Sequence, residues 1–304
     1  MKILVLAGGL STERFVSLSS GSLITAALKR RGHEVFMADV YVGVRAEREE
    51  LSSLFGREQG EIYKVTGEVP DLERLIAENG GRREPVGENI IELCKLADAV
   101  FIALHGAMGE NGQLQATLDS FGIKYTGSGY VGSLLAMDKD ITKRLLLSAG
   151  VPTPAGIYCK ADSCDVRQIT SQIGLPCVVK PAAGGSSVGV SLVYTEEQLK
   201  AAIDTAAQFE DSILVEKLIK GREFTCGILN GRVLPPVEII PKEGFYDYKN
   251  KYQAGATLEV CPPDITDEET EHISKNTKMA FETLRLSGYA RFDYILDENG
   301  VFWN

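Results

Sequence analysis

Apolar and polar positions change period several times along the chain. Ile3 to Ala7 is a short apolar run closing on Gly8-Gly9, Val16 to Lys29 has helical spacing, and Glu34 to Ala38 is a second apolar run. Together they predict a strand, a loop, a helix and a second strand. Residues 42 to 90 are more polar and less periodic, with Gly80-Gly81 and two prolines, and predict peripheral helices and loops. Ala99 to Leu104 then resumes as an unbroken apolar run, the pattern of a parallel strand covered on both faces. The N-terminal part is predicted to be a doubly wound α/β domain around a parallel sheet.

Tyr125 to Gly129 is a turn-rich break, and the helical spacing of Ser133 to Ser148 opens a second, α+β part. Strands are predicted at Cys177 to Lys180, Ser191 to Val193 and Ile213 to Glu216, with a helix at Glu196 to Gln208. From Glu223 the pattern is that of a hairpin, with Asn230-Gly231 between two apolar runs. Gly244 and a polar segment to Pro263 follow, then a helix at Asp267 to Leu286, a strand at Tyr289 to Leu296, a turn at Asp297 to Gly300 and a last strand at Val301 to Trp303. No internal repeat is visible.

Composition narrows the class. A chain of 304 residues buries enough core to fold without disulfides or metals. Its apolar runs fall far short of the roughly 20 residues of a membrane span. The N-terminus shows no small-residue cleavage site, so a signal peptide is not expected and a cytoplasmic location is. Cysteines 94, 159, 164, 177, 226 and 261 have neither CxxC spacing nor a nearby histidine set, which argues against zinc and predicts reduced thiols. The net charge of -10 disfavours a nucleic-acid partner.

Three glycine-bearing loops adjoin predicted strands: Gly8 to Glu13, His105 to Gly112, and Gly184 to Gly189. None fits the dinucleotide or P-loop fingerprint. The third is the most informative, because Lys180 ends a strand, Pro181 stops it, and small residues follow whose N–H groups approach phosphate oxygens closely. A plain strand connection is the alternative. Glu216-Lys217 precedes the apolar pair Leu218-Ile219, a segment suited to presenting backbone groups to an adenine edge, and Glu223 follows within reach of a ribose or the adenine amino group. Each glutamate would otherwise be a solvated strand end.

Seven stretches in this order resemble the signatures of the D-alanine:D-alanine ligases, an ATP-grasp family. They are Glu13-Arg14-Phe15-Val16-Ser17-Leu18, His105-Gly106 with Gly109-Glu110-Asn111-Gly112, Met137-Asp138-Lys139, Lys180-Pro181 with Gly185 to Gly189, Glu216-Lys217, Phe245-Tyr246-Asp247-Tyr248 with Lys251-Tyr252, and Arg291-Phe292-Asp293. The resemblance implies three domains, 1–125, 126–212 and 213–304, with ATP between the latter two. It implies phosphate contacts from Lys139, Lys180, Lys251 and the loop residues Gly185, Ser186 and Ser187. An adenosine site would come from Glu216, Lys217, Leu218, Ile219, Glu223 and Phe245. Glu13, Val16, Ser17 and His105 would hold the first D-alanine, Ser186 and Tyr252 would link with Glu13 across a closed site, Arg291 would bind substrate and the oxyanion, and Asp293 would bind magnesium or manganese. The implied partners are D-alanine and ATP, with a homodimer expected and no membrane or nucleic acid.

Taken singly, these residues have plainer readings. His105 could be a hydrogen-bonded structural histidine, Lys139 and Lys251 surface lysines, and Tyr252 a packed surface ring. Asp293 stands among apolar neighbours on a strand, where an unpaired carboxylate is costly, so a cation or an arginine partner is predicted. Phe15 stands where relatives often carry a carboxylate, which is expected to alter packing rather than chemistry. Tyr252 matches a position where D-alanine:D-lactate ligases usually carry histidine, so D-alanine is the expected second substrate. The family pattern continues into Leu-Glu-x-Asn and a Pro-Gly loop, whereas the sequence stops at Asn304. A second metal carboxylate, its Asn partner, a backbone donor opposite Arg291 and part of the second D-alanine site are therefore expected beyond that point. The alternatives are a D-alanine:D-serine or D-alanine:D-lactate ligase, a nucleotide-binding module without turnover, and, more distantly, a dinucleotide oxidoreductase.

Overall fold

The computed structural model describes residues 1–58, 63, 70–185, 188–242 and 257–304, in two units, Met1–Tyr130 and Val131–Asn304. In the first, β1 (Lys2–Ala7), α1 (Arg14–Arg30) and β2 (Glu34–Asp39) are followed by a 3-10 helix at Arg48–Leu54, α2 (Leu72–Glu78), α3 (Ile90–Leu96) and β3 (Ala99–Ile102). The short helices α4 (Ala107–Glu110) and α5 (Gln113–Ser120) complete it. The strands pair in parallel in the order β2-β1-β3, and Val100 extends the sheet by a parallel bridge to Tyr125.

Strand periodicity decides what covers each face. Leu4 and Leu6 point into a cluster with Leu51, Ile90, Leu93, Leu114 and Leu118, whereas Ile3 and Val5 pack with Ile24 and Leu28 of α1. The sheet is thus covered on both sides, as its continuous apolar strands require. Gly21 lets α1 sit close to β1, since a Cβ there would lie 2.7 Å from Cβ of Ala7. This fixes the start of α1 against the loop after β1.

The second unit opens with α6 (Tyr130–Met137) and α7 (Lys139–Ser148), then β4 (Gly156–Lys160), α8 (Val166–Gln172), β5 (Cys177–Pro181), β6 (Ser191–Val193), α9 (Glu196–Ala207) and β7 (Ser212–Lys217). The order in this sheet is β4-β7-β5-β6. Next come β8 (Arg222–Leu229), β9 (Arg232–Val233), β10 (Val237–Pro241), β11 (Thr257–Val260), α10 (Asp267–Thr283), β12 (Tyr289–Leu296) and β13 (Phe302–Trp303), with β11-β10-β8-β12-β13 as neighbours in a second antiparallel sheet. One face of that sheet is packed: Phe224, Cys226, Ile228, Phe292 and Tyr294 meet Ile273, Ala280 and Phe281 of α10. Both α9 and α10 begin with capping boxes, Thr195 with Gln198 and Thr266 with Glu269.

Three expectations need correction. The single helix expected at Ser133 to Ser148 is two, because the Asp138 carboxylate accepts from the N–H of Ile141 and starts a new helix. Cys159 and Cys164 are not reduced thiols but form a disulfide, since the 3-10 turn at Ala161–Ser163 brings their Cα atoms to 5.3 Å. Cys94, Cys177, Cys226 and Cys261 are free thiols. Asp293 is not in an apolar setting: β12 alternates, with Phe292 and Tyr294 inward and Arg291 and Asp293 on the open face. No helix among the described residues is long and apolar enough to cross a membrane.

Candidate active site

In the first unit the chemistry gathers where β1 and β3 end. Glu13, Ser17 and Ser20 are spaced by four and three residues at the start of α1, so they share a helix face. Ser17 is fully buried; its hydroxyl accepts from the N–H of Gly8 at 2.9 Å and donates to the carbonyl of Ala103 at 2.8 Å. It braces the two strand ends against the helix, with buried Val16 beside it in sequence. The Ser20 hydroxyl and Nε2 of half-buried His105 lie 3.0 Å apart and share a hydrogen bond. Ser11 donates to the carbonyl of His105 at 2.9 Å and accepts from the N–H of Glu13 at 3.1 Å, tying the first loop to the second. The N–H of Gly106 donates to Oε2 of Glu110 at 2.6 Å.

Gly106 has φ of 66°, and a Cβ there would lie 2.6 Å from Oε2 of Glu13. The buried Glu13 carboxylate therefore rests directly on the glycine. We predict that Gly106→Ala lowers stability by about 1–3 kcal/mol, the cost of a left-handed non-glycine residue. It should also displace Glu13, raising KM for the D-alanine that the resemblance places there while leaving KM for the implied ATP unchanged. Urea unfolding and steady-state kinetics check both parts.

In the second unit two lysines pair with one carboxylate, and a third, Lys139, is held at the adjoining loop. Glu216, at the end of β7, is buried; Oε1 lies 2.5 Å from Nζ of Lys143, and Oε2 is paired with Lys180 of β5. Burial alone would push this carboxyl upward, but the charges and hydrogen bonds of the two lysines outweigh it and hold it below the usual range. Lys139 opens α7, and its N–H donates to the carbonyl of Ala182 at 3.0 Å, beside the bridge between Asp138 and Ala183. Its ammonium donates to the carbonyls of Gly184 at 2.6 Å and Ala182 at 3.4 Å. Burial, and secondarily the charge of Lys180, push the Lys139 ammonium down to about 8. The N–H of Ala183 is held by Glu210 at 2.6 Å, so the chain leading to Gly185 is fixed by lysine on one side and glutamate on the other.

A depressed lysine beside a second cation is a group that an anion would re-protonate. In the free protein Lys139 loses its charge as pH rises past about 8, so affinity for a polyanion should fall between about pH 7 and about pH 9. The sign for stability is opposite. An unfolded lysine holds its proton to 10.5, so between about 8 and 10.5 the unfolded state binds more protons and stability rises with pH. Lys139→Arg, which cannot deprotonate in this range, should flatten the affinity profile for the ATP that the resemblance implies here. Calorimetric titration of ATP across the range decides this.

The open face of the second sheet carries the remaining polar groups. Asp293 pairs with Arg291 of the same strand at 3.2 Å and accepts from the Thr225 hydroxyl at 2.8 Å, Thr225 being its cross-strand partner on β8. Its backbone carbonyl accepts from the Asn304 amide at 2.9 Å. Glu223 lies two residues from Thr225 on the same face. The backbone of Lys217 is bound to Ala155 and that of Leu218 to Pro176, which fixes the start of the segment running to Ile219. Ser186, Ser187, Phe245, Lys251 and Tyr252 lie outside the described residues.

The profile of the D-ala D-ala ligase N-terminus matches residues 2–128, and that of the D-ala D-ala ligase C-terminus matches 149–304. The chain belongs to the D-alanine–D-alanine ligase family. It is 39% identical to a D-alanine–D-alanine ligase from Pediococcus pentosaceus over 99% of this chain and 87% of that protein. A D-alanine–D-alanine ligase from Bacillus anthracis solved in complex with ATP has a TM-score of 0.74 at 28% identity, over 100% of this chain and 84% of the other. A D-Ala:D-Ser ligase from Enterococcus faecalis has a TM-score of 0.74 at 25% identity, over 99% of this chain and 88% of the other. For a member of this ligase family, sequence reasoning missed Ser20, Lys143, Glu210 and Thr225. Lys143 and Ser20 carried a usable signal, being four residues from Lys139 and seven from Glu13 on helices. Glu210 and Thr225 carried none, since sheet pairing and a loop bring them in.

Proposed function

We propose that this chain joins two D-alanine molecules into D-alanyl-D-alanine, with conversion of ATP to ADP and phosphate, for peptidoglycan precursors. The observation that carries the reading is the buried Glu216 carboxylate paired with both Lys143 and Lys180, with Lys139 held at the adjoining loop of residues 182–185. Such an excess of positive charge in a partly buried setting suits a polyphosphate. The γ-phosphoryl group passes to a carboxylate oxygen of the first D-alanine, breaking its bond to ADP. The amine of the second D-alanine then attacks the acyl carbon, loses a proton, and expels phosphate.

Lys139 and Lys180, with Lys251, hold the phosphates, and Gly185, Ser186 and Ser187 cover them. Lys217, Leu218 and Ile219 meet the adenine through their backbone, beside Glu223 and Phe245. Glu216 serves this site from behind, both its oxygens being taken by lysines. Glu13, supported by Ser17, holds the ammonium of the first D-alanine beside Val16 and His105, and Ser186 and Tyr252 serve the same reaction. Arg291 donates to the oxyanion.

Asp293 suits magnesium or manganese. It is a solvent-facing carboxylate, and such ions take one or two protein carboxylates and fill their shell from phosphates and water. Among the described residues no group of three acidic, histidine or cysteine side chains is placed to hold a metal. The ion, when bound, neutralises phosphate charge. We further propose a three-domain organisation with breaks after residues 125 and 212, a homodimer, and a cytoplasmic location.

D-alanine carrying heavy oxygen in its carboxylate tests the route. One labelled oxygen should appear in the released phosphate, as an acyl phosphate requires; phosphate without label contradicts it. D-serine as acceptor is the second reading, favoured by the Enterococcus faecalis likeness. Faster phosphate release with D-serine than with D-alanine as the second substrate would establish it.

A further inference from the structure

Lys143 does more than its place on a helix requires. Its side chain is 11% exposed, and its ammonium donates to the carbonyl of Pro154 at 2.6 Å while pairing with Oε1 of Glu216 at 2.5 Å. Pro154 stands just ahead of β4, whose Gly156 is the register partner of Glu216 on β7. Lys143 therefore ties α7 to two neighbouring strands at one point. The other oxygen of the same carboxylate is paired with Lys180. A carboxylate shared between two cations neutralises neither fully, whereas one left with a single lysine binds that lysine as a closed ion pair.

We infer that Lys143 is a positioning residue for ATP, which divides the charge of Glu216 so that Lys180 keeps a net positive charge for the phosphates. This rests on the reading of Lys139 and Lys180 as phosphate ligands. Burial lowers the Lys143 ammonium, and the charge and hydrogen bond of Glu216 oppose that fall, so the pair is maintained by its own field. The ionic groups acting on Lys143 are Glu216, Lys180 and Asp140, the last on its own helix. Lys143 touches no reacting atom in this scheme; it acts through Glu216.

The test is ATP binding by calorimetry on the full chain, with KM for ATP and for D-alanine measured alongside. Lys143→Gln keeps a donor for the Pro154 carbonyl and removes the charge. It should weaken ATP binding and raise KM for ATP by about tenfold, as loss of one charge-assisted contact does, with KM for D-alanine unchanged. Lys143→Arg should restore most of the affinity. In a Glu216→Gln background, where there is no charge to divide, Lys143→Gln should change ATP binding by less than about twofold. If Lys143→Gln alone is not recovered folded, the double variant Lys143→Met/Glu216→Gln replaces it, leaving neither half of the pair behind. Its ATP affinity should match that of Glu216→Gln.

An equal loss in both backgrounds, or unchanged ATP affinity in Lys143→Gln, overturns the inference while wild-type ATP binding leaves the proposed function standing. A merely structural Lys143 would lower the unfolding temperature without separating the two KM values. Wild-type protein that binds no ATP overturns the proposed function and this inference with it.

Discussion

Lys180→Ala should weaken ATP binding by about tenfold to a hundredfold, the range for one charge-assisted contact to a multiply charged phosphate. The fold should survive, because Glu216 keeps Lys143 at 2.5 Å and is not left as an uncompensated buried charge. Lys139→Ala should have a loss of the same order for a second reason. Besides its charge it removes the donor to Gly184 and Ala182, so the loop leading to Gly185 loses one of its two anchors. Calorimetry with ATP gives the affinities, and thermal unfolding shows that the variants remain folded. Unchanged ATP affinity in both would remove the phosphate assignment.

Arg291→Ala should act on turnover instead. A guanidinium placed at a developing oxyanion contributes about 3 to 4 kcal/mol, which corresponds to a fall in kcat of about a hundredfold to a thousandfold. ATP affinity should change little, since Lys139 and Lys180, the proposed phosphate ligands, lie on other elements. Arg291 is 65% exposed and paired with Asp293, which is 56% exposed, so its removal opens no cavity and should leave unfolding unaffected. A kcat within about twofold of wild type, or a collapse of ATP binding with normal turnover, would contradict the role.

The sequence made the first unit readable because β1 and β3 are covered on both faces, and full coverage writes itself as unbroken apolar runs. The hairpin at Asn230-Gly231 was equally local and equally legible. β4 was not, because an edge strand half open to solvent carries no apolar run and is held by pairing with β7. The break at Asp138 was hidden by helical spacing that runs through it, although an acidic residue three positions before Ile141 is a cap signal. Asp293 shows a related error. Its apolar sequence neighbours suggest a buried carboxylate, whereas the alternation of Phe292, Tyr294 and Leu296 with Arg291 and Asp293 separates an inner from an outer face.

For the site, the motifs name residues but not their surroundings. Glu216 was singled out as an adenosine contact from its place at a strand end. What surrounds it depends on Lys143 and Lys180, one on a helix and one on the neighbouring strand, and no linear spacing connects all three. Ser17 was expected at the substrate. Its hydroxyl is consumed by Gly8 and Ala103, a role visible only once the parallel sheet brings residues 8 and 103 together.

The most direct test of the central claim is product formation. The chain is incubated with ATP, magnesium and D-alanine, and dipeptide, ADP and phosphate are quantified together by chromatography. One D-alanyl-D-alanine for each ADP and each phosphate, with no ADP released when D-alanine is omitted, is the expected result. ADP released without dipeptide, or at the same rate in the absence of D-alanine, would contradict it.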